Sequence, residues 1–409
     1  MANSQALAIF GGSPAFVDAL HVGRPNVGDR ERLLERINDI LDRRWLTNDG
    51  PQVLELEKRI AEFVGVRHCV AMCNATIATE IAIRALGLSG EVIMPSMTFV
   101  ATAHALQWQQ ITPVFCDVDA ATHNVDPRRI EALITPRTTG ILAVHLWGRP
   151  CDAETLEGIR RRHGLKLLYD AAHAFGCSSG GRMIGGFGDA EVFSFHATKF
   201  FNTLEGGAIV TNDDDLAATA RLMKNFGFTG YDRVIHIGTN GKMNEVSAAV
   251  GLTSFDALAE FVATNRRNYD SYQAGLKGIP GVSLISYDTS ECNNFQYIVA
   301  EVDETAAGLS RDELVEMLFM ENVIARRYFY PGCHRMEPYR TLYPHAGRLL
   351  TETERLVDRT LALPNGTAVN PDQIATICGI LRVAIERGAD VRARLAGRTA
   401  APPIAARTF

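Results

Sequence analysis

The chain has no Cys-x-x-Cys pair. Its cysteines fall at positions 69, 73, 116, 151, 177, 292, 333 and 378, with no His-x-x-x-His beside one. That spacing excludes the common zinc frameworks, and no metal is expected. Several of these cysteines sit in apolar, strand-like runs, where buried reduced thiols are the expected state. An excess of positive charge is also lacking: the formal net charge is -6. This argues against a nucleic-acid or membrane-surface protein, which needs a basic face, but leaves room for a local basic pocket. No stretch reaches the roughly 18 uninterrupted apolar residues of a membrane span. The opening Met1-Ala2-Asn3-Ser4-Gln5-Ala6 has no basic region followed by an apolar one, so a cytoplasmic protein without a targeting segment is expected. The Gly-rich run Ser178–Asp189 lacks the G-x-G-x-x-G spacing and reads as a turn between strands, not a dinucleotide loop. No internal repeat is found.

What is present is a chain of 409 residues, 46% hydrophobic and 22% charged, ordinary for a globular protein. At roughly 150 residues per domain, the length predicts two or three domains' worth of core. Apolar residues recur at helical spacing over 31–43 and again from Pro51, a residue suited to a first helical turn. The pattern then alternates. Helices are expected at Ala75–Leu86, Ala101–Trp108, Arg128–Leu133 and Glu154–His163. Strands are expected at Val92–Met94, Pro113–Cys116, Gly140–Leu146, Leu165–Tyr169, Glu191–Phe195 and Ala208–Thr211. The strand runs are short and do not alternate, as in strands covered on both faces. The fold class predicted is therefore α/β, three-layered, with a mostly parallel central sheet. Ligands of such sheets bind beyond the carboxyl ends of the strands, where Pro95, Asp170 and Ser194 are expected. From about Phe255 the texture changes. A helical region to about Gly275, a strand Phe295–Val302, a helix Arg311–Glu321 and closing helices Arg355–Leu361 and Pro371–Arg387 suggest a smaller α+β domain. The predicted division is 1–254, with the N-terminal helices in the large domain, and 255–409. The tail after Ala396, rich in Ala, Pro and Arg, is expected to fray.

Four stretches carry candidate chemistry. Lys199 follows a short apolar strand and precedes Glu205-Gly206-Gly207. A surface lysine is the commonest fate of this residue type; a buried one, with its pKa lowered, is a nucleophile toward an aldehyde. Asp170 ends the strand Leu167-Leu168-Tyr169. It reads either as a helix cap or as the counter-charge of a pyridinium nitrogen, with His173 near enough to reach a ring hydroxyl. One Lys and one Asp on neighbouring strand ends are the two groups that a pyridoxal phosphate site needs most. In Cys73-Asn74-Ala75-Thr76, small and hydroxyl residues open a helix, which is either plain capping or an anion site, to which Ser194 adds a hydroxyl. Phe99, in Pro95-Ser96-Met97-Thr98-Phe99, is placed to stack on a flat ring or to fill core.

The order and spacing of these stretches resemble the nucleotide-sugar aminotransferases, the DegT/StrS family of fold-type-I pyridoxal phosphate enzymes. The resemblance runs from Trp45-Leu46-Thr47-Asn48-Asp49-Gly50-Pro51 through Asn74-Ala75-Thr76 and Asp170-Ala171-Ala172-His173. It continues through Ser194-Phe195-His196-Ala197-Thr198-Lys199 to Gly238-Thr239-Asn240-Gly241-Lys242-Met243. It implies that Lys199 is the Schiff-base lysine and proton shuttle, that Asp170 pairs with the pyridine nitrogen and that His173 approaches the ring hydroxyl, where many members have Gln. It implies that Phe99 stacks on the ring and that Ala75, Thr76 and Ser194 hold the phosphate, with Ala75 standing where Gly is usual. Asn240 would reach the phosphate of a neighbouring subunit's cofactor, making the active unit a homodimer. The subgroup most resembled aminates C4 of a dTDP-4-keto-6-deoxyhexose in antibiotic sugar pathways, with L-glutamate as the donor. A diphosphate-binding role for Arg326, Arg327, Tyr328 and Tyr330 stands beside the reading of a solvated charged turn. Three rivals are a C3 aminotransferase sharing every residue named, a sugar dehydratase, which usually has His at the Lys199 position, and a cofactor-sensing regulator. The last should bring a DNA-binding module or basic arm, and neither is visible.

Overall fold

A computed structural model describes residues 7–397; the expected fraying of the tail falls, from Arg398 on, outside them. Seven strands form the central sheet: His68–Met72 (β1), Glu91–Pro95 (β2), Thr112–Cys116 (β3), Thr138–Val144 (β4), Lys166–Asp170 (β5), Ala190–Ser194 (β6) and Gly207–Thr211 (β7). Their order is β1-β7-β6-β5-β4-β2-β3. Only β7 runs against its neighbours. The lack of alternation in these strands has the anticipated cause. Val92, Ile93 and Met94 are all fully buried, as are Ile141–Ala143 and Leu167–Tyr169. Each such large apolar side chain contributes roughly 1.5–3 kcal/mol by leaving water.

The helices between the strands have sequence-encoded ends. Arg30–Arg43 (α1) is capped by Asp29, which accepts from the N–H groups of Glu31 and Arg32. Pro51–Val64 (α2) starts on its proline and stops at Gly65 in the left-handed region (φ 73°). Ala75–Ala85 (α3) is capped by Asn74, and Val100–Gln107 (α4) follows β2. Ala153–His163 (α5) and Asp214–Met223 (α6) cover the sheet further on; α6 and strand β1 were not anticipated. The expected helix Arg128–Leu133 is one α turn, Pro127–Ile130, followed by a 3-10 turn, Glu131–Leu133.

Glu245–Asp256 (α7) and Leu258–Leu276 (α8) link the sheet to a second body. Leu258 and Phe261 of α8 pack with the phenylalanines behind the large sheet, while Tyr269, Tyr272 and Leu276 join the second core. That core surrounds a three-stranded antiparallel sheet, Val282–Leu284 (β8), Ile298–Val302 (β9) and Thr360–Leu363 (β10). It is covered by Arg311–Met320 (α9) and Pro371–Glu386 (α11), with the short helix Thr351–Val357 (α10) preceding β10. Two expectations change here. The stretch Arg355–Leu361 ends a helix and begins β10, because Thr360 and Leu361 pair with Glu301 and Ala300. The strand expected from Phe295 starts at Ile298, since Phe295 sits at φ 46°, outside the extended region.

The N-terminal segment packs on this second body. Leu7, Ile9 and Leu20 belong to its core. Leu20 and His21 pair in parallel with Val323 and Ile324. The buried Glu321 carboxylate accepts from the N–H groups of Ala8 and Ala15, each at 2.7 Å. Among the described residues no single helix is long and apolar enough to cross a membrane; α7 and α8 pass only together, and they meet at a 62° bend. All eight cysteines are free, with Cys73 half-buried, Cys292 exposed and the others buried.

Candidate active site

The carboxyl ends of the parallel strands open into a cavity of about 370 Å³. Its floor is set by register. Gly207 of β7 stands opposite Met72 of β1 on one side and Ser194 of β6 on the other. The chain leaving β1 turns at once into α3, so the first turn of α3 lies over the start of β7. Gly207 is required there: a Cβ would sit 2.6 Å from the Ala75 nitrogen and 2.7 Å from its Cα. Asn74 Oδ1 takes the Ile77 N–H at 2.8 Å. Ala75, Thr76 and Ser194 line the cavity beside this cap. The first N–H groups of a helix plus nearby hydroxyls form an anion site.

Asp170 ends β5 and lines the same cavity. No helix starts there, so it is not a helix cap. Its Oδ1 accepts from Ala172 N–H (3.0 Å), and its Oδ2 accepts from the Thr102 hydroxyl (2.8 Å), which itself contacts the Thr98 hydroxyl at 3.1 Å. An ionised carboxylate only accepts, so Thr102 must donate to Asp170, leaving Thr98 to donate to Thr102. His173 is buried and stacked on Trp147, 5.9 Å between ring centroids. Its Nδ1 accepts from the Trp147 N–H at 3.2 Å. Burial, with the charge of Lys199 adding to it, pushes its pKa well below the usual value. The ring is therefore neutral, with its hydrogen on Nε2, a fixed donor.

Lys199 lies in the loop after β6, half-buried at the cavity wall. Its Nζ donates to the Tyr297 hydroxyl at 3.0 Å. Burial lowers its pKa from the usual 10.5 to about 8, against the opposing pull of Asp170 and Tyr328. About a tenth of the amine is thus neutral near pH 7, against less than about a thousandth for an ordinary lysine, as a nucleophilic lysine needs. Phe99 is 58% exposed and on the cavity wall, not in the core.

Nine of the residues singled out in the sequence therefore share one cavity: those above together with Arg326 and Tyr328. Arg326 has no acidic partner among the described residues and lies over the Tyr328 ring at 5.2 Å. Three others do not line it. Arg327 turns to Asp312 (3.2 Å) and to the Tyr330 ring, which also receives Arg311. Asn240 is exposed on the segment leading into α7, bridged to Asn225. The cavity also holds residues that sequence reasoning missed. Tyr297 and Thr102 gave no signal, being a lone tyrosine beside a strand and a hydroxyl inside a helix. His21, Arg24 and Asn26 come from the N-terminal segment. Asn26 pins it: its side chain donates to Phe200 O and its carbonyl accepts from Asn202, both at 2.9 Å. An Arg and an Asn within Gly23-Arg24-Pro25-Asn26, a turn-rich string, were the available clue.

This arrangement has close counterparts. The chain is 39% identical over 366 residues to a dTDP-4-amino-4,6-dideoxy-D-glucose transaminase of Shigella dysenteriae, covering 89% of this chain and 98% of that one. An Escherichia coli protein of the same description is 36% identical over 364 residues, 88% and 97% of the two chains. The crystal structure of DesI in the presence of its TDP-sugar product superposes with a TM-score of 0.92 at 51% identity, covering 96% of this chain and all of that one. A sequence profile also matches residues 28–382. With the fold, the lysine and its carboxylate in place, the chain belongs to the DegT/DnrJ/EryC1/StrS aminotransferase family.

Proposed function

We propose that this aminotransferase uses pyridoxal 5'-phosphate to move an amino group from L-glutamate to C4 of dTDP-4-keto-6-deoxyglucose. The observation that carries the chemistry is the lysine amine, its pKa drawn down to about 8, in one cavity with the Asp170 carboxylate and the open first turn of α3. The sugar and its position rest on what the relatives and DesI act on.

The donor set fits the cofactor. Gly207 lets the first turn of α3 pack directly against β7, where a Cβ would meet the Asn74 and Ala75 backbone, and Ala75 and Thr76 line the cavity at that turn. The N–H groups of Ala75 and Thr76 and the Ser194 hydroxyl are suited to its phosphate. Asp170, oriented through Thr102 and Ala172, would accept the ring N–H. His173 Nε2–H would donate toward a ring oxygen, and the exposed Phe99 ring on the cavity wall would pack on the cofactor ring. When bound, the cofactor supplies a protonated ring that takes up the electron pair of the carbon beside the transferred nitrogen. Lys199 would carry the cofactor and, once released, move a proton at its Nζ. Arg326 would hold the anionic end of the substrate, beside Tyr328 on the same cavity wall.

In this reading the cofactor-binding part is residues 1–254 and the smaller part 255–409, the N-terminal segment packing on the latter. A second copy of the chain completes the site through Asn240. In support, the segment leading to Asn240 exposes Tyr231, Val234, Ile235 and Ile237, a cluster of apolar side chains of the kind that marks an interaction surface.

The experiment follows absorbance of the loaded enzyme. L-Glutamate should remove the band of the lysine-bound cofactor, and dTDP-4-keto-6-deoxyglucose should restore it. Restoration only by a 3-keto sugar moves the reaction to C3. Bleaching by another amino acid but not by glutamate overturns the donor.

A further inference from the structure

The contact between Lys199 and Tyr297 crosses the molecule. Lys199 belongs to the loop after β6, whereas Tyr297 immediately precedes β9 of the small sheet. The phenol is held from several sides. Its ring centroid lies 4.4 Å from that of His173, 5.4 Å from Trp147 and 6.5 Å from Tyr328. Its carbonyl accepts from the Tyr287 hydroxyl at 2.9 Å. The preceding residue is tied to both bodies: Gln296 Oε1 accepts from Phe200 N–H, next to Lys199, and its carbonyl accepts from Asn365 Nδ2 at 2.9 Å. Tyr297 therefore has little freedom to move away from the lysine loop.

A phenol suits both states of an amine. Its oxygen accepts from an ammonium, and its O–H donates to a neutral amine. Burial raises the Tyr297 pKa, so the group keeps its proton, while Lys199 is drawn down toward the working pH range. An acid in the same place would instead hold the lysine as an ammonium. In the proposed function Lys199 becomes a free amine each time it is released to move a proton, and the Tyr297 hydroxyl lies within hydrogen-bond reach of its Nζ.

We propose that Tyr297 is the positioning residue for Lys199 whenever its amine is free, holding Nζ at the reacting centre through the phenol oxygen. The proposal rests on Lys199 being the cofactor-binding lysine, so the test separates the two. The variant is Tyr297→Phe, which keeps the ring and its packing. Apoprotein is mixed with saturating pyridoxal 5'-phosphate, and the band of the lysine-bound cofactor is followed in time. In that step Nζ adds to the aldehyde carbon, a carbon–nitrogen double bond forms and one water leaves. The variant should attach the cofactor about 10- to 100-fold more slowly, the loss expected when a reacting group is no longer held in place. In turnover, kcat should fall by a similar factor, while KM for the nucleotide sugar stays within about twofold. An unchanged attachment rate with unchanged kcat overturns the proposal. So does a variant that only melts earlier or raises KM, because that is a packing role. A band that forms in Lys199→Ala overturns the lysine assignment instead.

Discussion

On the sheet side of the cavity, Met72, Gly207 and Ser194 stand in register across three strands, and the anion cradle is made from backbone and small side chains. On the opposite side, His21, Arg326 and Tyr328 are brought together by a two-residue parallel pairing between segments some 300 positions apart, Leu20 with Val323 and His21 with Ile324. The first wall is rigid because Met72 and Ser194 end, and Gly207 begins, strands buried on both faces. The second is a patchwork of loops whose side chains are large, polar and half-exposed. In the proposed function the common chemistry falls on the rigid wall and the recognition of a particular substrate on the patchwork, the division expected when loops vary over a fixed scaffold.

The largest effect that would test this division is Lys199→Ala. It should abolish the band of the lysine-bound cofactor and lower kcat on the order of 1,000-fold or more, as loss of a proton-transferring group does. In the unaltered apoprotein, the rate of cofactor capture should rise as pH passes through about 8, not near 10.5. Burial disfavours the ammonium, so the attacking neutral amine appears at lower pH; a midpoint near that of an ordinary lysine would break the argument.

Next in size is Gly207→Ala. The added methyl meets the α3 backbone at 2.6–2.8 Å, and neither β7 nor α3 has room to give. A destabilisation of about 1–3 kcal/mol is expected, read as a lower melting temperature, together with loss of cofactor on dialysis. If both stay as in the parent, the cradle is softer than the rigid-wall account allows.

The smallest effect contrasts two adjacent arginines on the patchwork. Arg326→Ala should raise KM for the nucleotide sugar about 10- to 100-fold, the worth of a charge-assisted hydrogen bond of roughly 1.5–3 kcal/mol, with kcat little changed. Arg327→Ala should leave both within about twofold, since its exposed pairing with Asp312 is worth little. Equal effects would mean that the cavity wall runs further along the segment than Arg326.

Apart from β1, which the sequence reading missed, the rigid wall was readable from the sequence because its parts are local. An apolar run ending in Asp170, a helix opening at Asn74-Ala75-Thr76 and a lysine shortly after Ser194 each announce a strand end or cap within a few residues. Strand existence followed from buried apolar runs, and errors gathered where two elements meet, as at Arg355–Leu361. Tyr297 and Thr102 were silent because a single tyrosine or threonine in an apolar pattern fits any packed element. The N-terminal segment could not be assigned to its body from the sequence, because two residues of pairing to Val323 and Ile324 leave no periodicity to read.

The sequence by itself determined most of the elements, the parallel sheet and the placing of a lysine and an aspartate at its carboxyl edge, since helix caps and doubly buried strands are encoded by neighbouring residues. Only the tertiary structure decided which of the two arginines faces the cavity, that the N-terminal segment closes it, and that a phenol from the small sheet meets the lysine. Those outcomes depend on contacts between distant segments, and hydrophobic burial, which drives them, has no direction of its own; packing and register alone choose the partner.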